Sequence, residues 1–318
     1  MFLLDARIFP WDLAISLLLT VSSCTLLASI VRLRRATGLR RPARVFLRLT
    51  GFLSVLAFAT VAYGSFVEPQ LLVTTEHAVS FPARAPLTVA VVSDIHTGPY
   101  KSAAFVERIV RRVNDVRPDL VLLVGDYLYR NATTTAALRP LAGLRPSLGT
   151  FAVLGNYDTG QVPDGVLSAR TVADDLRALG ITVLRDASTI VRTSSGPVAV
   201  AGIGDLQTER ADVEQALRGI PDDTPLLLLS HNPDVILDPL SKRANLIVSG
   251  HTHGGQIRLP FLGPVPPLPT HLGRKYDQGL FSVDDDTTLA VTRGAGETTA
   301  RARLFAWPEV MVLKTHAR

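Results

Sequence analysis

The sequence predicts an α/β fold of two mixed, layered β-sheets flanked by helices, preceded by an N-terminal hairpin of transmembrane helices. Three observations lead to this prediction. Short runs of aliphatic and β-branched residues alternate with amphipathic helical stretches over most of the chain. Two long apolar runs without charges lie near its start. Polar residues follow directly after the strongest predicted strands, where α/β proteins form their binding sites.

The composition divides the chain into a basic, apolar beginning and a neutral remainder. Of the 318 residues, 47% are hydrophobic and the mean hydropathy is positive, which indicates membrane segments. The net charge is +5, but seven arginines lie between residues 32 and 48, and from Pro69 onward basic and acidic residues are equal in number, 25 each. We therefore expect no nucleic-acid partner. The single cysteine, Cys24, excludes an internal disulfide and a cysteine-rich zinc site.

The apolar runs cover residues 13–31 and 49–67. Each has 19 residues, close to the roughly 20 that span a bilayer as a helix. A cleaved signal peptide fits less well, because there are two runs and the basic segment follows the first. Two buried core helices would leave the arginines between the runs unexplained. The positive-inside rule puts the arginine-rich loop in the cytoplasm, which predicts a multi-pass inner-membrane protein whose remainder is extracytoplasmic, or periplasmic.

We predict a membrane anchor at residues 1–69, a connector with a short edge strand at 70–86, and a catalytic domain at 87–318. Hydrophobic spacing predicts helices at 103–116 and 168–179. Apolar runs predict strands at 87–93, 119–124, 150–154, 181–184, 189–193, 198–203, 225–230 and 244–249. Three later runs, 280–283, 288–292 and 310–313, predict antiparallel strands.

Five of the predicted strands end in residues that can bind a metal ion. The candidates are Asp94, His96, Asp126, Asn156, Asp158, His231, His251 and His253. His251 and His253 are two positions apart in Gly250-His-Thr-His-Gly-Gly-Gln256, so in an extended stretch their side chains share a face. Carboxylate, imidazole and amide ligands suit Mn, Fe or Zn, and Mg less well. So many ligands favour two divalent ions bridged by a carboxylate, a pair that can activate water for displacement at phosphorus.

In this order, the motifs resemble those of the calcineurin-like metallophosphoesterases. They are Asp94-x-His96, Gly125-Asp126, Gly155-Asn156-x-Asp158, His231 and Gly250-His-x-His253. The resemblance covers residues 87–313, and the stretches 250–256, 273–276 and 279–281 are similar to the membrane-anchored bacterial branch. That branch includes phosphodiesterases and pyrophosphohydrolases acting on lipid-linked substrates such as UDP-diacylglucosamine. The resemblance implies a metal-dependent phosphoric ester hydrolase that acts on a phosphate ester or a lipid-linked pyrophosphate at the membrane. It implies nothing about the oligomeric state.

The resemblance also implies a role for each motif residue. Asp94, His96 and His253 would hold the first metal, Asp126 would bridge, and Asn156, His231 and His251 would hold the second. Asp158 would orient a neighbouring ligand or catalytic group. An ordinary turn carboxylate or helix cap is the alternative at that position.

Tyr157 departs from the family pattern, which has a histidine after Gly-Asn that contacts phosphate and protonates the leaving group. A phenol can donate a hydrogen bond to a phosphoryl oxygen, but it is a weaker acid than an imidazolium. We expect Tyr157 to act at the phosphate and metal binding to survive. The proton for the leaving group would come from Tyr157 or from another residue, or would not be needed for a good leaving group such as a nucleotide phosphate. The alternative hypothesis is a catalytically silent, metal-binding membrane protein with a sensing or scaffolding role.

Overall fold

The computed structural model describes residues 9–35, 38–83, 85–129, 132–159, 167–194 and 196–316. The chain forms two compact units. The first comprises Met1–Leu71 and Thr298–Leu304, and the second comprises Leu72–Glu297 and Phe305–Arg318. The domain boundaries predicted at residues 69 and 86 remain predictions.

The first unit contains two long helices, α1 (Phe9–Arg35) and α2 (Arg41–Ala62). Large apolar side chains on both helices are exposed, among them Leu17, Phe46 and Phe52. A helix that is apolar on all sides and exposed suits a lipid surrounding better than water. Both helices are long and apolar enough to span a membrane, so they could form the predicted hairpin. Most of the arginines expected in a loop lie instead in the last turn of α1 and the first turns of α2.

The second unit is built on two six-stranded sheets. The first sheet has, in spatial order, β1 (Val73–Ser80), β14 (Glu309–His316), β2 (Thr88–Val92), β3 (Leu120–Val124), β4 (Gly149–Val153) and β5 (Thr182–Val183). The second has β12 (Gly279–Ser282), β13 (Thr288–Val291), β9 (Leu246–Ser249), β8 (Leu226–Leu229), β7 (Gly196–Gly202) and β6 (Ala187–Thr193). A separate small hairpin joins β10 (Arg258–Leu259) to β11 (Gly263–Pro264).

The described residues of this unit form four α-helices: α3 (Ala103–Asp115), α4 (Asn156–Thr159), α5 (Ala169–Ala178) and α6 (Val213–Leu217). Short 3-10 helices lie at Ala136–Gly143, Pro233–Leu237, Pro239–Arg243, His253–Gly255 and Gly273–Tyr276. Both sheets contain parallel and antiparallel pairs, as predicted. The prediction that the late strands are antiparallel is wrong in part. β13 is antiparallel to β12 but parallel to β9, and β14 is antiparallel to β2 but parallel to β1.

The sheets pack face to face because alternate side chains of their strands point into one shared core. Val91 and Leu122 of the first sheet meet Val200 and Leu229 of the second in this core. The opposite face of the first sheet is covered by α3 and α5, and that of the second sheet by α6. The result is four layers, helix, sheet, sheet and helix, which confirms the predicted α/β fold class.

Candidate metal centre

The predicted ligands follow parallel strands of both sheets. β2, β3 and β4 lead to Asp94, Asp126 and Asn156, and β8 and β9 of the second sheet lead to His231 and His251. Because parallel strands end at the same edge of a sheet, these residues converge. Asn156 is half-buried, and the side chains of the other predicted ligands are almost wholly buried.

Five of the predicted ligands have a left-handed backbone. The φ angles are 52° at Asp94, 48° at His96, 55° at Asp126, 68° at His251 and 52° at His253. Residues other than glycine adopt such angles uncommonly, at a cost on the order of 1–3 kcal/mol each, and they cluster at functional sites. The chain therefore curls sharply as it leaves the strands, and this curl turns the side chains back toward one point.

Glycines leave the space for this curl. A Cβ atom on Gly155 would collide with the Asp126 carboxylate, and one on Gly250 would collide with the Ser93 hydroxyl and lie 2.5 Å from Asp94 Oδ2. The glycines of the Gly-Asn and Gly-His dipeptides are thus explained by steric exclusion of a side chain. A side chain at either glycine would push a carboxylate out of the site.

One group of side chains lies at the first sheet's β2 end. His96 Nε2 and His253 Nε2 are 3.2 Å apart, and His253 Nε2 is 3.3 Å from Asp94 Oδ1. Their ligand atoms lie close enough together to hold one metal ion. The backbone N–H of His251 also donates to the Asp94 carboxylate, which joins the two sheets at this point.

A second group lies at the ends of β4, β8 and β9. His231 Nε2 is 3.2 Å from Asn156 Oδ1 and 3.2 Å from His251 Nδ1. Asp126 lies between the two groups, since its Oδ2 is 3.5 Å from His96 Nε2 and 3.3 Å from His231 Nε2. One carboxylate oxygen therefore faces both groups, which is the position that a bridging ligand requires.

Backbone carbonyls set which histidine nitrogens face the site. His231 Nδ1 lies 2.7 Å from the carbonyl oxygen of Val124, and His251 Nε2 lies 2.8 Å from that of Pro269. We assign a donated hydrogen bond to each pair, because a carbonyl can only accept. Unless His231 Nε2 binds a proton or a metal ion, its lone pair and that of His251 Nδ1 face each other at 3.2 Å, so the pair favours a cation at this point. The donor set therefore fits divalent metal ions.

Neighbouring charges in the site shift the pKa values of its titratable groups. Burial disfavours the charged form of Asp126, but His231 outweighs this effect and lowers the pKa of the carboxyl. Burial likewise lowers the pKa of His231, but Asp126 more than compensates and raises it to about 10. Burial lowers the pKa of His96, and burial followed by His231 lowers that of His251. Without metal, a proton on His231 thus supplies positive charge between the carboxylate and the imidazoles.

Asp158 does not point at the metal groups but holds the loop beneath them. Its carboxylate accepts the backbone N–H of Asp126 at 2.8 Å, of Gly155 at 3.0 Å and of Tyr127 at 3.1 Å. Burial, and then the Asp126 charge, raise the pKa of Asp158 to about 7, although the N–H donors oppose this shift. The contacts fix the backbone that carries Asp126.

Tyr157 lies beside the first group. Its ring centre is 4.7 Å from that of His96 in an edge-to-face arrangement, and its backbone N–H donates to Asp126 Oδ1 at 2.8 Å. The sequence reasoning missed Tyr129, whose ring centre lies 6.2 Å from both His96 and Tyr157. It also missed the carbonyl of Pro269, for which the sequence offers no signal. Two tyrosines thus line the His96 side of the site.

Comparisons with known proteins agree with this geometry. The family model for calcineurin-like phosphoesterases matches residues 87–255. The metallophosphoesterase YkuE of Bacillus subtilis is 30% identical over 261 residues, which cover 79% of this chain and 87% of YkuE. The phosphodiesterase YaeI of Escherichia coli is 29% identical over 279 residues, or 85% of this chain and 98% of YaeI.

A membrane protein is also among the relatives. The zebrafish (Danio rerio) transmembrane protein with metallophosphoesterase domain is 32% identical over 246 residues, which cover 72% of this chain and 53% of that protein. Taken with the two apolar helices, this similarity suggests membrane association. The family match, the extent of the similarity and the buried metal-binding groups lead to one conclusion: the chain belongs to the calcineurin-like phosphoesterase family and is a metal-dependent phosphoesterase.

Proposed function

We propose that the protein is a membrane-anchored, two-metal phosphohydrolase that cleaves a phosphodiester or a pyrophosphate. The observation that carries this proposal is the position of Asp126 Oδ2, which faces His96 and His231 at 3.5 and 3.3 Å. When bound, a pair of divalent ions such as Mn, Fe or Zn supplies an activated water and stabilises charge on the phosphoryl oxygens. The relative YaeI is named a phosphodiesterase, which supports a phosphodiester as the substrate.

In this proposal each residue of the site has its own role. Asp94, His96 and His253 would hold the first ion, Asn156, His231 and His251 would hold the second, and Asp126 would bridge them. Asp158 keeps the Asp126 backbone in place through its N–H contacts. Tyr157, whose ring packs edge-to-face against that of His96, would donate a hydrogen bond to a phosphoryl oxygen.

We expect Tyr157→His to raise turnover about 10²-fold for an alkyl phosphodiester with a poor leaving group, because an imidazolium can protonate that group. An aryl phosphodiester, whose leaving group needs no proton, should change less than about tenfold. Steady-state kinetics with both substrates and added Mn measures the difference. The matched control is Tyr129→His, which puts an imidazole on the same wall 6.2 Å away by ring centre.

The same assay, extended to phosphomonoesters and lipid-linked pyrophosphates, decides on the silent alternative. A wild-type protein that turns over neither monoesters, diesters nor lipid-linked pyrophosphates, together with an active Tyr157→His variant, would support a silent sensor or scaffold. Measurable wild-type turnover would exclude that alternative. Equal rates for wild type and Tyr157→His on the alkyl diester would instead contradict the role proposed for Tyr157.

We expect metal binding to release a proton from His231. The pKa of about 10 in the metal-free protein lies above the ordinary 6.5, so His231 is protonated at about pH 7.5. Its contribution to stability is complete below pH 6.5 and is lost as the pH rises through 10. A bound metal ion would take the place of that proton, so apparent metal affinity should rise with pH.

Calorimetric titration of the metal-free protein in buffers of different ionisation enthalpy counts the released protons. His231→Asn should remove about one proton from the count, since a single ionisable group is lost. His77→Asn, a replacement on the edge strand β1, should leave the count unchanged. A wild-type titration that releases no proton would contradict this assignment.

Further proposals concern location and substrate. We infer that α1 and α2 anchor the protein in the inner membrane, with the arginine-rich segment cytoplasmic and the catalytic unit periplasmic. An anchored enzyme meets substrates at that surface, which favours a lipid-linked pyrophosphate or an envelope phosphodiester. A reporter fused after Arg318 that is active only in the cytoplasm would contradict this orientation.

A further inference from the structure

The hairpin β10–β11 carries an apolar tip, which we define as residues 259–262. The tip sequence is Leu-Pro-Phe-Leu. Phe261 is as exposed as a side chain can be, with a relative accessibility of 108%, and Leu262 follows at 71%. Apolar residues scattered singly over a surface are ordinary, but a contiguous exposed group marks an interaction site.

The backbone of the tip adds a second observation. Phe261 has a φ of 66°, in the left-handed region that a bulky side chain rarely adopts. Glycine or asparagine would suit this turn position better. The chain thus carries an aromatic side chain where both the backbone and the solvent disfavour it, and such outliers point to function.

Two arginines lie at the base of the tip. Arg258 and Arg274 line, together with Phe261 and Phe305, a groove of about 500 Å³ at its base. The Arg258 guanidinium donates to the carbonyl of Gly254 at 2.7 Å and to the Asp277 carboxylate at 2.6 Å. Lys275 follows Arg274 in the 3-10 helix Gly273–Tyr276 and is exposed. Exposed aromatic and aliphatic residues beside Arg and Lys are typical of surfaces that lie in the lipid–water boundary.

The tip is also continuous with the metal-binding turn. The N–H of Val265 donates to the carbonyl of Ile257 at 2.8 Å, which closes the hairpin directly after Gly250-His-Thr-His-Gly-Gly-Gln256. A Cβ atom on Gly255 would collide with Pro264, so hairpin and turn pack tightly together. Pro269, a few residues farther on, supplies the carbonyl that orients His251. Whatever the tip binds is therefore held next to the metal centre.

We propose that the apolar tip inserts into the lipid–water interface of a phospholipid bilayer, with Arg274 and Lys275 facing the lipid phosphates. The apolar side chains and the adjacent positive charge match the two layers of that interface, the acyl boundary and the anionic headgroups. A second copy of the chain could cover the apolar residues, but it would leave the basic residues beside them without a counterpart. The insertion is a contact of the catalytic unit with lipid in addition to the two apolar helices.

The single cysteine of the chain makes a direct test possible. In the full-length protein, Cys24→Ser combined with Phe261→Cys gives one thiol, at the tip, for a polarity-sensitive fluorophore. The matched control is Cys24→Ser with Asp285→Cys, because Asp285 is exposed in the turn before the start of β13, at the opposite end of β13 and β9 from His251. Both labelled proteins are placed in nanodiscs of zwitterionic and anionic phospholipid, with or without lipids that carry a spin label near the headgroup.

We expect the label at position 261 to emit at shorter wavelength than the label at 285 and to be quenched at least about twofold by the spin-labelled lipid, since interfacial segments lie about 5–10 Å deep. If the label at position 261 emits at the wavelength expected in water and is not quenched by the spin-labelled lipid, the proposal is overturned. A shift to shorter wavelength without quenching would also overturn it, because the tip would then be covered by protein, such as a second copy. Unchanged thermal unfolding of the labelled variants shows that they fold, and no readout depends on turnover.

Discussion

Replacing Asp126 by Asn is expected to lower kcat/KM for an aryl phosphodiester by about 10³-fold. The loss corresponds to about 4 kcal/mol of transition-state stabilisation, the several kcal/mol that metal ions contribute in phosphoryl transfer. The substitution keeps the size and one oxygen of the side chain but removes its negative charge. That charge faces both histidine groups through Oδ2.

The reason for choosing asparagine is structural. Asp126 Oδ1 accepts the N–H of Tyr157, and an amide oxygen can continue to accept it. The loop should therefore keep its conformation, and the effect should be confined to the pairing of two cations through one carboxylate. We expect metal analysis to show at least one ion lost or weakly held.

The control is Asp285→Asn, which removes the same charge from an exposed turn. Rates are measured with added Mn, and metal content is determined on the same samples. If Asp126→Asn keeps a rate within about tenfold of the wild type and both ions, the bridging role is wrong, because a tenfold change is only about 1.4 kcal/mol.

The second large effect is expected from Asp158→Ala, which should destabilise the catalytic unit by about 4 kcal/mol. The N–H groups of Gly155, Asp126 and Tyr127 would lose their buried acceptor, and each unsatisfied donor costs about 1–3 kcal/mol. In a unit of this size, the midpoint of thermal unfolding should fall by about 10 °C. Metal affinity should fall as well, because the backbone of Asp126 is no longer fixed.

Asp158→Asn provides the graded comparison, since it retains one carbonyl oxygen for these donors. We expect its unfolding midpoint to lie between those of wild type and Asp158→Ala. Thermal unfolding is measured with and without metal, so that stability and ligand loss are seen separately. An Asp158→Ala protein as stable as the wild type would show that Asp158 is an ordinary turn carboxylate.

Much of the fold was predictable because its strands are buried on both sides. Runs such as Leu120–Val124, with only aliphatic residues, are visible without any structure, and they end directly before the site residues. The convergence of Asp94, Asp126 and His251 followed from the rule that parallel strands end at one edge. The direction of β13 and β14 did not follow, because an apolar run does not reveal which neighbour a strand will pair with.

Short elements escaped prediction for a different reason. α6 has five residues and the strands of the β10–β11 hairpin two each, too few to show a period of 3.6 or 2. Tyr129 was missed because its approach to His96 depends on how the chain curls after Asp126, whose φ is 55°. Aspartate and histidine adopt left-handed angles more often than most residues, but the sequence alone does not show at which positions they do so.

The residues of the candidate metal centre come from both β-sheets. Asp94, Asp126 and Asn156 come from the half of the chain that builds β2 to β4, whereas His231 and His251 come from the half that builds β8 and β9. Ions held by both sets would act as removable cross-links between two sheets in a chain whose single cysteine cannot form one. An ion present at a thousand times its dissociation constant adds about 4 kcal/mol to the folded state. Metal supply would then set part of the stability of the catalytic unit, as well as whether the enzyme works.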